Sequence, residues 1–136
     1  MKLSTRGRYG LRAAADLAVY AKDGPVSISS IAERQDLSER YLEQLIARLK
    51  KAGIVKSIRG SGGGYILARP AASISVGDIL RALEGSMTVV DCPENKEACA
   101  NYDSCVTKYV WKRINDSINQ TVDAMTLEEI ITVRME

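Results

Sequence analysis

The spacing of hydrophobic positions divides the chain into helical and extended stretches. Leu11, Ala14, Ala15 and Ala18 recur at the interval of one helix face, which predicts a first helix over residues 4–22, closed by Gly24-Pro25. Ser27 or Ser29 caps a second helix that carries Ile31, Ala32 and Glu33. After a short turn at residues 36–38, Leu42, Leu45, Ile46 and Leu49 fall at i, i+3, i+4 and i+7, the stripe of a third helix over residues 39–52. Ser38 is its N-cap, Glu39 lies in the first turn, where the helix dipole favours an anion, and Gly53 closes it.

The period then changes. Residues 54–58 read as a strand, Gly60-Ser61-Gly62-Gly63-Gly64 as a turn and residues 65–68 as a returning strand, a hairpin that Pro70 ends. Ser75 caps a fourth helix with Val76, Ile79, Leu80 and Leu83 as its apolar stripe and Gly85 at its end. Residues 86–104 show no periodicity and include Pro93. A long helix over residues 105–124 follows, in which Val106, Val110, Ile114, Ile118 and Val122 recur every four residues, with Trp111 and Met125 widening the stripe. Thr126 and Glu129 form a capping-box pattern for a short last helix containing Leu127, Ile130 and Ile131. The predicted fold is mainly α with a small β-hairpin: a winged helix-turn-helix over residues 1–84, a cysteine-containing loop over 85–104, and a long helix plus C-terminal helix over 105–136.

Composition narrows the function. The 136 residues suit one domain with an added element, and with no Phe and one Trp the core must be aliphatic. No run of about 18 apolar residues exists to span a membrane, and the first ten residues lack the apolar stretch of a signal peptide, which points to a cytoplasmic protein with no membrane partner. The net charge of +2 is unevenly spread: residues 1–70 hold 13 Lys/Arg and 6 Asp/Glu, a balance of +7, whereas residues 71–136 hold 6 and 11, a balance of −5. A basic N-terminal half fits a polyanionic partner, although ordinary surface charge gives the same asymmetry. There is no histidine, so the commonest general base is missing, and no nucleophile–base pair is visible; an enzyme is not expected.

Two short helices joined by a tight turn and followed by a glycine-tipped hairpin are the parts of a winged helix-turn-helix. Reading DNA needs a helix with an apolar face to seat it and a polar face to enter the major groove, and the third helix has both. Gln44 can pair with an adenine edge, Arg40 or Arg48 with guanine or phosphate, and Glu43 with a cytosine amino group. Arg59 stands beside the wing tip, where an arginine can enter a narrow minor groove. A solvated helix face is the plain alternative for each side chain taken singly. A nucleotide-phosphate loop is not expected from the glycines, because strands flank them and no Lys-Ser/Thr follows.

The segments MKLSTRGRYGLRA and LSERYLEQLIARLKKAGIVKSIRGSGGGY, with three spaced cysteines ahead of Val110-Trp111, resemble the iron–sulfur cluster regulator (IscR-like) family of winged helix-turn-helix transcription regulators, over nearly the whole chain. The resemblance implies a homodimer on a palindromic double-stranded promoter, joined through the long fifth helix, with the third helix and wing as the reading head. By position it adds Ser38, Tyr41 and Gly60 to Arg40, Glu43, Gln44, Arg48 and Arg59, and places Ser4, Thr5 and Arg6 in an N-terminal region suited to phosphate contacts. It also implies that Cys92, Cys99 and Cys105 bind metal, as ligands of a 2Fe-2S or 4Fe-4S cluster. One position departs from the family pattern: the histidine usual three residues past the last cysteine is Lys108, and a protonated lysine is a poor iron ligand. The nitric-oxide-sensing branch uses an aspartate near the N-terminus, where this chain has Arg8. The fourth ligand is therefore open among Glu94, Glu97, Asp103, a carboxylate of a second subunit, and solvent.

The cysteines fit that chemistry on their own terms. Their spacing is Cys-x6-Cys-x5-Cys, an odd count without an export signal, which argues against a disulfide scaffold. Thiolates are soft ligands suited to iron–sulfur clusters, and three of them leave one iron position for another donor. Structural zinc fits less well, since no Cys-x2-Cys pair exists. A metal-free thiol switch and cysteines without function stay open. The acidic residues Asp91, Glu94, Glu97 and Asp103 read as loop solubility. The stripe Val106, Val110, Ile114, Ile118 and Val122 packs either on its own domain or on a second copy; its drift around a 3.6-residue helix excludes a strict coiled coil. A dimer is favoured because one recognition helix reads few base pairs, and twofold proteins match half-sites about 34 Å apart. Two functions are expected from these readings: a repressor that senses cluster or redox status through its cysteines, or a metal-independent regulator of cysteine metabolism acting with an enzyme partner.

Overall fold

The computed structural model describes residues 3–90 and 101–135. The chain forms six helices, α1 (Thr5–Tyr20), α2 (Ile28–Gln35), α3 (Glu39–Lys51), α4 (Val76–Glu84), α5 (Lys108–Ala124) and α6 (Leu127–Met135), with the strands β1 (Val55–Ile58) and β2 (Gly64–Leu67) between α3 and α4. Helix α1 runs through the middle and touches α2, α3, α4 and α6, while α5 leans on α4. The core is aliphatic: Leu17, Ile31, Leu42, Leu45, Ile46, Leu49, Ile54, Ile74, Ile79, Leu83 and Leu127 are almost fully buried. Each such side chain contributes roughly 2 kcal/mol by leaving water.

The caps explain where these helices begin. The Ser27 hydroxyl accepts from the Ser30 amide and opens α2, and Ser38 does the same for Tyr41 at the start of α3. At α4, Ser75 Oγ accepts from the Asp78 amide at 2.9 Å and the Asp78 carboxylate accepts from the Ser75 amide at 3.1 Å, a closed capping box. Thr126 Oγ1 accepts from the Glu129 amide at 3.1 Å ahead of α6. Helix α1 approaches α4 closely because Gly10 faces it; a methyl group there would collide with the Leu83 side chain.

The hairpin is antiparallel, with Val55 opposite Leu67 and Ile58 opposite Gly64. It is secured at a second point, because Tyr65 exchanges two main-chain hydrogen bonds with Val26, at 2.8 and 3.0 Å, just before α2. Gly60 at the tip has φ of 101°, a backbone that side-chain-bearing residues rarely adopt.

The start of the long helix differs from the spacing argument. Helix α5 begins at Lys108, preceded by a 3-10 turn over Tyr102–Ser104. Ser104 donates through both its amide and its hydroxyl to the Asn101 carbonyl, and such local bonds compete with helix formation. Val106 therefore lies in a turn outside the helix, 84% exposed.

One buried charge joins the first two helices. Asp16 has no exposure, yet it sits among alanines on α1. Its carboxylate accepts from Arg34 Nε at 2.8 Å, Arg34 Nη2 at 2.7 Å and Gln35 Nε2 at 2.9 Å, all from α2. The Arg34 guanidinium lies 4.1 Å from the Tyr20 ring centre, and its pKa is raised, first by the hydrogen bonds to Asp16. Asp16→Ala leaves Arg34 and Gln35 without their acceptor and is expected to lower unfolding free energy in urea by about 3 kcal/mol; a loss below about 1 kcal/mol would show that the pair does not hold α2 in place.

Candidate nucleic-acid interface

Helix α3 is divided as reading DNA requires. Leu42, Leu45, Ile46 and Leu49 are buried against the core, and the opposite side carries the exposed side chains of Arg40, Glu43, Gln44, Arg48 and Lys51. Arg59 and Gly60 are likewise exposed, at the end of β1 and the wing tip. Among the described residues no hydrogen bond or ion pair engages the side chains of Arg40, Glu43, Gln44, Arg48 or Arg59, so their polar ends are left to solvent.

Three members of the expected set have internal partners. Tyr41 is half-buried: its hydroxyl donates to Thr5 Oγ1 at 3.2 Å, and its ring meets Tyr9 edge-on at 6.3 Å between centroids. Tyr41 thus braces α3 against α1 at Thr5 and Tyr9, and Arg6 and Arg8 on the same helix are exposed. The Ser38 hydroxyl is the α3 cap. Ser4 departs most from expectation, because both its amide and its hydroxyl donate to Glu84 Oε1, the amide at 2.9 Å. The hydroxyl expected to meet phosphate is held by the protein's own carboxylate.

That carboxylate was not legible in the sequence. Glu84 is the last residue of α4, and it also accepts from the Gly7 amide at 2.9 Å. An anion is thereby set at the positive end of α1, where amides without intrahelical partners collect. Burial pushes the Glu84 pKa up, but the Ser4 hydroxyl, the Gly7 and Ser4 amides and the Arg6 charge outweigh it and hold the pKa below the ordinary value. Arg12 extends the same surface; it donates to the Gln35 side chain and carbonyl at 3.1 and 3.0 Å and lies 5.2 Å from the Tyr9 ring centre.

Cys92 and Cys99 lie outside the described residues, as do Glu94 and Glu97; Cys105 lies within them. Its Sγ is 3.1 Å from Thr107 Oγ1, just ahead of α5. Its pKa is lowered, first by the Thr107 hydroxyl, then by the Thr107 and Lys108 amides and the Lys108 charge. Such surroundings favour the thiolate, the form that binds metal. Lys108 itself is turned away from a ligand role: its ammonium donates to the Tyr102 carbonyl at 2.8 Å and lies 4.5 Å from the Tyr102 ring centre. Asp103 is exposed beside this turn. Among the described residues no three metal-ligating side chains converge.

The long-helix stripe is divided by exposure. Val110 and Ile114 are 49% and 38% exposed, whereas Ile118 and Val122 pack against Val76, Leu80 and Met87. A shallow depression of about 450 Å³ lies between Val110, Arg113, Ile114, Ser117 and Ile118.

The lowered Glu84 pKa sets a pH dependence. The folded state binds a proton at Glu84 less readily than the unfolded chain does, so its contribution is complete above the unfolded carboxylate range, about 4.3, and is lost as pH falls through the lower folded value. Glu84→Gln is expected to flatten the acid limb of stability between about pH 5 and pH 2, measured by thermal melting; an unchanged acid limb would mean that another group titrates there.

Comparison with known proteins places this architecture. A family model described as Rrf2, iron-dependent transcriptional regulator, matches residues 3–133. The HTH-type transcriptional regulator IscR of Yersinia enterocolitica is 40% identical over 96% of this chain and 79% of its own length. Among solved structures, CymR, the global cysteine regulator of B. subtilis, is 42% identical with a TM-score of 0.80 over 98% of both chains. T. potens IscR is 49% identical with a TM-score of 0.79, over 98% of this chain and 88% of that one. These relatives are winged-helix transcription regulators rather than enzymes, and the expected likeness to IscR-like proteins holds. On this match of sequence and fold, the chain belongs to the Rrf2 family of transcriptional regulators.

Proposed function

We propose that the protein is a homodimeric repressor that reads a palindromic promoter with α3 and its wing, and that its three cysteines report iron–sulfur cluster status to that reading head. The observation that carries the reading is the division of α3: four buried apolar side chains seat it, and Arg40, Glu43, Gln44 and Arg48 stand exposed on the other side. A major groove admits such a helix. Gln44 reads an adenine edge, Glu43 accepts from cytosine, Arg40 and Arg48 bind guanine or phosphate, and Arg59 follows the wing into the adjacent groove. Arg6, exposed on the first turn of α1, neutralises phosphate. Residues 1–84 form the reading head, 85–104 the cysteine segment, and 105–136 the dimer and C-terminal helices.

Exposed Val110 and Ile114, with the depression beside them, support pairing of α5 with a second copy. Ile118 and Val122 take a smaller part, since they already pack on their own subunit. Cys92, Cys99 and Cys105 would hold the cluster; Cys105 fits, with a thiolate favoured by its neighbours. A bound cluster supplies a redox-sensitive, exchangeable centre, because three thiolates leave one iron position to a further donor. Lys108 is not that donor, since its ammonium is committed to the Tyr102 carbonyl.

A second reading, a metal-independent regulator of cysteine metabolism acting with an enzyme partner, draws support from the likeness to CymR along the full length of both chains. Anaerobic purification separates the two. Brown protein with stoichiometric iron and sulfide, lost on Cys92→Ala, Cys99→Ala and Cys105→Ala, is the expected result. Colourless protein whose promoter binding survives all three substitutions would leave the second reading.

Base reading is tested on the promoter upstream of the protein's own gene. Gln44→Ala is expected to cost roughly 1–3 kcal/mol at one base position, whereas Arg59→Ala should weaken all sequences and lower the salt slope by about one unit. Uniform loss across sequences for Gln44→Ala would refute its pairing with a base.

A further inference from the structure

Two polar side chains are buried in the described structure, Asp16 and Asn115. Asp16 joins α1 to α2. Asn115 is a different case, because it is the one buried residue of a helix whose other side chains meet solvent or lie half-covered. Asparagine is a poor residue for a helix interior, by roughly 0.7 kcal/mol against alanine, so the position calls for a physical reason.

Its hydrogen bonds supply one. Asn115 Oδ1 accepts from the Val89 amide at 2.7 Å, and Asn115 Nδ2 donates to the Val90 carbonyl at 3.4 Å. One turn later, Asn119 Nδ2 donates to the Met87 carbonyl at 2.9 Å, and Asn119 Oδ1 accepts from Arg81 Nη2 at 2.8 Å. Arg81 also forks onto Asp123 at 2.7 and 2.9 Å, with its pKa raised first by that carboxylate. Asn115 and Asn119 thus make a polar ladder along α5 on which the main chain of residues 87–90 is laid, and Arg81 joins its lower rung to Asp123. The bonds go to backbone groups, so they fix register; an apolar contact would allow this segment to slide.

The same segment has two other attachments. It starts three residues after Glu84, which holds the first turn of α1 through Ser4 and Gly7. It leads, two residues past Val90, to Cys92. We propose that Asn115 and Asn119 are positioning residues that lock the segment entering the cysteines to α5, so that a change of state at the cysteines moves the dimer helix and with it the two reading heads. This inference rests on the reading that the cysteines control DNA binding.

The test uses the full chain, either loaded anaerobically with iron and sulfide or left cluster-free, and a duplex carrying the promoter upstream of its own gene. Dissociation constants of the two forms are compared as a ratio, alongside the visible absorption spectrum. For the wild type a ratio of about tenfold or more is expected, whereas Asn115→Ala and Asn119→Ala should keep the cluster spectrum and the cluster-free affinity while their ratio falls to near one. Asn119→Ala leaves the buried Asn115 bonds in place and so serves where Asn115→Ala does not fold. Faster hydrogen exchange at the Val89 amide, with α3 protection unchanged, should accompany the Asn115 change. A variant ratio equal to the wild-type ratio overturns the positioning role and leaves the cluster reading standing. A wild-type ratio of one overturns the cluster reading itself, and this inference with it. Loss of cluster uptake in both variants also overturns the proposal, since the ladder would then build the cysteine site rather than transmit from it.

Discussion

A carboxylate shut away from water governs the geometry of the head. Asp16 accepts three hydrogen bonds from Arg34 and Gln35, and with the two bonds from Arg12 to Gln35 these orient α2 on α1. Helix α3 follows α2 through a turn in which Asp36 takes the left-handed conformation, φ 55°, so the attitude of α2 is passed on to the helix that faces outward. The energetic logic is that of any buried ion: left unpaired it is expensive, so the fold tolerates few alternatives to the arrangement that pairs it. Tyr41 adds a second tie, from α3 back to Thr5 and Tyr9 on α1. Both ties converge on α1, which makes that helix the mount for α2 and α3.

Charge and apolar surface are separated along the length of the molecule. The exposed arginines of α1, α3 and the wing belong to the half with the positive balance, whereas the exposed valine and isoleucine of α5 belong to the acidic half. Helix α6 returns the chain from α5 to the head: the Leu127 amide donates to the Ile74 carbonyl and the Val76 amide to the Met125 carbonyl, both at 2.8 Å, and Leu127 is buried in the main core. The long helix is therefore tethered at its C-terminal end, while Val110 and Ile114 stand exposed in its N-terminal half.

Much of this was legible in the residues. The stripe of Leu42, Leu45, Ile46 and Leu49 gave the buried side of α3, and Ser38 and Ser75 are caps because short-range chemistry decides them. The glycine-tipped hairpin followed from a change of period. What was hidden depends on partners far along the chain. Asp16 is a lone acid in an alanine-rich helix, and nothing local says whether it faces solvent. Ser4 and Glu84 are 80 residues apart, so the bond that diverts the Ser4 hydroxyl leaves no trace in spacing. Asn115 and Asn119 did leave a signal, two poor helix formers four residues apart inside a long helix, but apart from Arg81 their partners are backbone groups without sequence identity. The late start of α5 was missed because apolar periodicity at Val106 outweighed the turn-forming Asn101, Asp103 and Ser104 beside it.

The double stitching of the wing has a mechanical consequence. Because Tyr65 exchanges main-chain bonds with Val26 on one side while β2 pairs with β1 on the other, the hairpin is tied to the segment before α2 as well as to the strand that follows α3. The placement of Arg59 relative to α3 is therefore set by the fold. A duplex whose grooves do not match that spacing must itself twist or narrow to meet both, and stiff base steps resist this more than pliant ones. On the proposed reading, such a spacing would sort promoters by their elasticity at base pairs that no side chain reaches.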